Sequence, residues 1–123
     1  MELNDLTYKV IGCAYNVHSN LGPGLLESTY EVCLHHELTQ AGLIVERQKA
    51  LPVIYGNIEL DAAYRIDLLV NNQLILELKA VSEISALHKA QLMTYLKLSN
   101  HKLGLLLNFN VADMKKGIHR IIM

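Results

Sequence analysis

One stretch, Arg65-Ile66-Asp67-Leu68-Leu69-Val70-Asn71-Asn72-Gln73-Leu74-Ile75-Leu76-Glu77-Leu78-Lys79, restricts the folds open to this chain more than any other. Two apolar runs flank a polar Asn-Asn turn, which predicts a β-hairpin. Three charges interrupt the runs: Asp67 in the first, Glu77 and Lys79 in the second. A charge among Leu, Ile and Val is costly to bury unless it is paired or holds an ion. Side chains two apart share a face of a strand. Glu77 and Lys79 therefore point the same way, beside Ile75, while Leu74, Leu76, Leu78 and Ala80 point the other way. Asp67 faces Glu77 only if the connection is odd. A three-residue loop Asn71-Asn72-Gln73, with asparagine taking a left-handed backbone, meets that condition. Two carboxylates and one ammonium then share a small patch, as in a metal site with a lysine beside it.

The sequence before the hairpin reads first as helix, then as strand. Asn4 or Asp5 is expected to cap a helix with Leu6, Val10, Ile11, Ala14, Val17 and Leu21 on one face, ending at Leu21-Gly22-Pro23-Gly24. A second helix is predicted from Leu25 to Ala41, closed by Gly42, with a stripe of Leu26, Tyr30, Cys33, Leu34, Leu38 and Ala41. Tyr30 reads as core packing with a tethered hydroxyl. Glu27, in the first turn, suits the helix dipole without further function. Alternation sets in at Leu43. Val45, Arg47 and Lys49 alternate with Glu46 and Gln48, Pro52 marks an edge or bulge, and Gly56-Asn57 is a two-residue hairpin turn.

After the hairpin, Ser82 or Ser85 is expected to cap a third helix running to about Ser99. Its predicted packing side is Leu87, Ala90, Thr94 and Leu98, with His88, Gln91 and Tyr95 as a polar line. Leu103 to Phe109 reads as a strand buried on both faces, and the intervening helix makes it parallel to Leu74–Val81 through a right-handed crossover. An edge strand, Ile118 to Met123, is expected last. The fold class is α/β, one domain over residues 1–123, with a mixed sheet flanked by helices.

Composition narrows the function. No apolar run approaches the roughly 20 residues of a membrane span, and the N-terminus lacks a basic region followed by an apolar block. Cys13 and Cys33 read as buried thiols within helices, so a cytoplasmic location is expected. His35, His36, His101 and His119 lack ligand spacing, which argues against zinc; His88 is the histidine expected near the patch. Residues 1–61 hold three Lys/Arg against eight Asp/Glu, and residues 62–123 hold eight against four. This imbalance fits an anionic ligand, and equally a mixed solvated surface.

An acid followed on the next strand by Glu77-Leu78-Lys79, and then by a helix, resembles the PD-(D/E)XK nuclease superfamily, with Ile66 where the name has proline. Within it, Gly24-Leu25-Leu26-Glu27-Ser28-Thr29-Tyr30 is similar to the signature of the GxxExxY proteins. Leu21-Gly22-Pro23-Gly24, Ala90-Gln91-Leu92 with Tyr95-Leu96, and Gly104-Leu105-Leu106-Leu107-Asn108-Phe109 extend the likeness over nearly the whole chain. The resemblance implies a restriction-endonuclease-like core and Mg²⁺, or Mn²⁺, held by Asp67, Glu77 and the Leu78 carbonyl, with Glu27 joining the site. Hard cations of this kind favour oxygen ligands and keep several waters, so two carboxylates suffice. By the same resemblance Lys79 holds or deprotonates the attacking water, and Gln91 and Tyr95 orient substrate or water. The implied partner is nucleic acid, DNA favoured over RNA.

Two readings follow. One is a metal-dependent nuclease hydrolysing phosphodiester bonds. The alternative is a nuclease-fold module that binds nucleic acid or a protein without cutting, in which Glu77–Lys79 and Asp67–Arg65 are plain ion pairs. No membrane partner is expected. A homodimer is expected through Ile118–Met123 or the hairpin around Gly56-Asn57, because cutting two strands requires two sites.

Overall fold

The computed structural model describes residues 1–123, apart from the side chains of residues 62 and 63. Two helices lead the chain: α1, Leu3–Leu21, and α2, Glu27–Gln40. Three antiparallel strands follow: β1, Val45–Tyr55, β2, Ile58–Val70, and β3, Leu74–Lys79. Helix α3, Ala86–Ser99, crosses to β4, Leu103–Asn108, which runs parallel to β3. A 3-10 turn, Met114–Gly117, then enters β5, Ile118–Ile122, antiparallel to β4. The sheet order is β1-β2-β3-β4-β5. This is the expected α/β arrangement, a mixed sheet flanked by helices, and its order fits the restriction-endonuclease-like core that the resemblance implies.

Strand alternation divides the core. Leu74, Leu76 and Leu78 pack with Leu6, Val10, Ala14, Tyr30 and Leu34 of α1 and α2. Ile75 packs on the other side with Leu92, Tyr95 and Leu96 of α3. All six residues of β4 are buried, as expected of a strand covered on both faces. Gly104 sets how closely α3 approaches, since a Cβ there would lie 2.9 Å from a methyl of Leu92.

Several expectations are corrected. Helix α1 begins at Leu3 behind Glu2, with no side-chain cap from Asn4 or Asp5. Leu26 lies before α2 and is exposed. Strand β3 stops at Lys79 and β5 at Ile122, while β2 runs unbroken from Ile58. The two thiols are half-buried and free. The packing side of α3 differs most. Leu92, Tyr95 and Leu96 are buried, whereas Leu87 is 77% exposed and Ala90, Thr94 and Leu98 also face outward. The helix has apolar residues around its whole circumference, so spacing alone cannot select the buried side. Of the two candidate caps, Ser85 acts. It accepts from the His88 N–H, and the His88 ring accepts from the Ser85 N–H. This capping box is the role the structure gives His88.

Candidate active site

The β2–β3 connection is the three-residue loop Asn71-Asn72-Gln73, with φ of 51° at Asn71 and 52° at Asn72. It pairs Val70 with Leu74, Leu69 with Ile75 and Leu68 with Leu76. The ladder stops there. Beyond Leu68, β2 continues against β1 alone, so the β1–β2 ribbon separates from β3. Asp67 and Glu77 stand at the fork.

A fork strands main-chain donors, and a buried donor without a partner is expensive. Here each strand's carboxylate satisfies the other strand's amide. The Asp67 N–H donates to Glu77 Oε2 at 2.8 Å, and the Leu78 N–H donates to Asp67 Oδ2 at 2.9 Å. These reciprocal bonds replace ladder rungs and hold the two carboxyls at adjoining positions. Glu77 is 5% exposed and Asp67 half-buried. Burial pushes the Asp67 carboxyl up to about 6, aided by the charges of Glu31 and Glu27 and opposed by its bond from Leu78 and by Lys79. Burial, then the charge of Asp67, pushes Glu77 up to about 8. Both shifts mean that burial and neighbouring negative charge disfavour the ionised pair, a cost that a bound cation would lower.

The other expected residues are placed around this pair. Glu27 is exposed in the first turn of α2, and its charge raises both carboxyls. Tyr30 fixes the loop before it: its hydroxyl donates to the Gly22 carbonyl at 2.6 Å and accepts from the Leu25 N–H at 3.1 Å, while its ring stacks on Phe109. Lys79 is half-buried, and among the described residues it forms no ion pair with Glu77 or any other carboxylate. Arg65 does not pair with Asp67 either; its guanidinium donates to the Gln48 carbonyl. Tyr95 is buried on α3, and burial, then Glu77 and Asp67, raise its hydroxyl pKa. Gln91, one turn earlier, is exposed. Both line an apolar groove of about 360 Å³ with Val53, Leu60, Tyr64, Thr94 and Leu98. A larger cavity, about 540 Å³, lies around Met1, Gln73 and His101, and none of the fork residues lines it.

Sequence reasoning missed Glu31 and Gln48. Glu31 is 6% exposed, accepts from Arg47 Nε at 2.8 Å, and accepts from Gln48 Nε2 at 2.7 Å. Gln48 Nε2 also reaches Asp67 Oδ1 at 3.4 Å. The available signal was a second acid one turn after Glu27, on the buried side of α2.

The fit to a divalent cation can be judged from the donors. Each carboxylate spends one oxygen on a main-chain amide, leaving Glu77 Oε1, and Asp67 Oδ1 with only the long contact from Gln48, for a ligand. Two hard oxygens in a site where a bound cation would lower the cost of ionisation suit Mg²⁺ or Mn²⁺ completed by water. Among the described residues, no three His, Cys, Asp or Glu side chains converge on one point, so the site fits an ion that keeps much of its hydration.

A family model of the PD-(D/E)XK nuclease superfamily matches residues 4–121. The chain belongs to the PD-(D/E)XK nuclease superfamily. Comparisons with curated proteins and with solved structures return no match. Membership in the superfamily suggests nuclease-type function and a nucleic acid substrate, and enzymes of this superfamily generally use divalent metal ions. Among the described residues no helix is long and apolar enough to cross a membrane.

Proposed function

We propose that the chain is a metal-dependent nuclease of the GxxExxY type, hydrolysing phosphodiester bonds in nucleic acid, with DNA favoured. The observation that carries this reading is the reciprocal Asp67–Glu77 clasp beside a lysine that, among the described residues, has no ion-pair partner. A purely structural hairpin could close the fork with neutral side chains, without the repulsion that two neighbouring carboxylates add. Asp67 Oδ1 and Glu77 Oε1, with the Leu78 carbonyl, hold Mg²⁺ or Mn²⁺, and Glu27 adds negative charge from α2 through solvent.

When bound, the ion supplies a Lewis acid that acidifies water and balances charge on the scissile phosphate. The protein supplies the positioning. Lys79 shares a strand face with Glu77 and presents its ammonium to the attacking water and the phosphate oxygens. Tyr95 offers a hydroxyl from α3, and Gln91 an amide one turn earlier, for orienting substrate or water. The half-buried free thiols fit a reducing, cytoplasmic setting. Two copies acting together match a double-stranded substrate.

The deciding experiment incubates the protein with single- and double-stranded DNA and RNA in Mg²⁺, Mn²⁺ or EDTA. Cleavage with either metal, abolished by EDTA and by Lys79→Ala, is expected. Intact substrates under every condition leave the non-catalytic binding module, the reading supported by the apolar groove beside Tyr95.

A further inference from the structure

Among the described residues, four other than glycine have a left-handed backbone. Asn71 and Asn72 form the hairpin loop, and Asn100 caps α3. Asparagine tolerates that conformation. Gln48 is the exception: its φ is 54°, and it lies inside strand β1. Glutamine gains nothing locally from such a backbone, so the strain points to what its side chain does.

Its neighbours show the consequence. Successive side chains of a strand point to opposite faces. Arg47 and Gln48 are successive, yet both donate to Glu31, one to each carboxylate oxygen, at 2.8 and 2.7 Å. The left-handed turn at Gln48 brings the two side chains together. Strand β2 breaks alternation at the facing rung as well. Ile66 packs in the α3 core and Leu68 in the α1–α2 core, although residues two apart normally share a face. Regular pairing resumes on either side, Arg47 with Leu68 and Lys49 with Ile66. Both strands thus kink at the rung that holds Gln48 and Asp67.

We infer that Gln48, anchored by Glu31, is a positioning residue that orients Asp67 Oδ1 toward the cation. Three features support it. The Gln48 amide has two protons. One is committed to Glu31, and the nitrogen stands 3.4 Å from Asp67 Oδ1, the oxygen not engaged by Leu78. Glu31 is itself held by Arg47, so the amide is fixed from behind. Arg65 holds the Gln48 carbonyl at 3.2 Å and so supports the kinked backbone. A neutral amide between two carboxylates also separates their charges, which a direct Glu31–Asp67 contact would not.

The inference rests on Asp67 being a metal ligand, and its test separates the two. In the metal-free protein, Asp67→Asn is expected to shift the Gln48 side-chain amide resonances in a ¹⁵N spectrum, as is Glu31→Gln. Resonances unmoved by Asp67→Asn overturn the inference whether or not Mg²⁺ binds. Gln48→Gly removes the amide and takes the backbone freely, so it folds. It is expected to weaken Mg²⁺ affinity, measured by calorimetry without nucleic acid, by roughly 10- to 100-fold, the usual cost of losing a group that orients a ligand. Arg47→Ala strips one partner from Glu31 but leaves the Gln48 amide in place, and is expected to lower thermal stability and to weaken Mg²⁺ affinity by less than Gln48→Gly does. Equal affinity in Gln48→Gly and wild type reduces Gln48 to a partner of Glu31 and overturns the inference. A wild type that binds no Mg²⁺, with the Gln48 resonances still coupled to Asp67, overturns the metal reading instead.

Discussion

At the scale of single residues, the fork assigns different jobs to charges that look alike in the sequence. Lys79 and Glu77 are two apart on one strand, yet they form no ion pair, so removing each has a different effect. Lys79→Ala is expected to abolish cleavage while leaving Mg²⁺ affinity equal or higher, because a like charge near the cation is gone. Glu77→Ala is expected to lose both, because on the proposed reading it removes an oxygen ligand. Melting with and without Mg²⁺ distinguishes them: wild type and Lys79→Ala gain stability from the ion, and Glu77→Ala does not. The raised carboxyls also predict a pH dependence. Asp67 and Glu77 rise from ordinary values of 3.8 and 4.5 to about 6 and about 8. Across that window the folded protein holds more protons than the unfolded chain, so their contribution to stability is greatest in acid and is lost as pH rises. Metal-free melts at pH 5 and pH 8 are expected to show this loss. Saturating Mg²⁺ is expected to offset it at pH 8, and the Asp67→Asn/Glu77→Gln double variant to remove it. Much of this patch was legible in the sequence, since alternation and an odd loop suffice to bring Asp67 and Glu77 together. Glu31 and Gln48 were not, because their meeting depends on one left-handed residue in a strand where regular alternation separates Arg47 from Gln48.

At the scale of elements, α3 is the piece that spacing misplaced and packing corrected. Leu87, Ala90, Thr94 and Leu98 have helical spacing, but so do Leu92, Tyr95 and Leu96, and only contact with the sheet decides between them. Gly104 makes that contact close by leaving room for the Leu92 side chain. The buried choice matters for the site, because it turns Tyr95 toward the carboxylates and leaves Gln91 beside it at the groove. The start of α3 is fixed by the Ser85–His88 capping box. Ser85→Ala is therefore expected to cost about 1 kcal/mol of stability, the usual value of an N-cap. Thermal or denaturant unfolding measures it, and an unchanged midpoint would show that packing of Leu92 and Leu96 fixes the helix start without the cap.

At the scale of the whole molecule, the fork has a second consequence, since a ribbon that leaves the sheet exposes what it carries. Beyond Asp67, β1 and β2 pair only with each other, and their tip presents Ile54, Tyr55, Ile58 and Leu60, each more than half exposed. Tyr55, Ile58 and Leu60 share one face of the ribbon and Ile54 lies on the other, and exposed apolar surface of this kind on a small domain marks a contact site. The polar Gly56-Asn57 turn ends the ribbon without covering its faces. The β5 edge is the other candidate, but it is short and Arg120 interrupts its apolar residues. The ribbon is thus the better surface for a second copy, and a two-fold pairing there would bring two forks onto one nucleic acid duplex. Sedimentation equilibrium at micromolar concentration is expected to give a dimer for the wild type. The Ile54→Lys/Ile58→Lys variant is expected to give a monomer with a nearly unchanged unfolding midpoint, because neither side chain belongs to the core. That variant should still nick one strand of a duplex while producing few double-strand breaks. A wild type that sediments only as a monomer removes the dimer. A monomeric variant that breaks both strands as often as wild type would show that one fork serves both strands in turn.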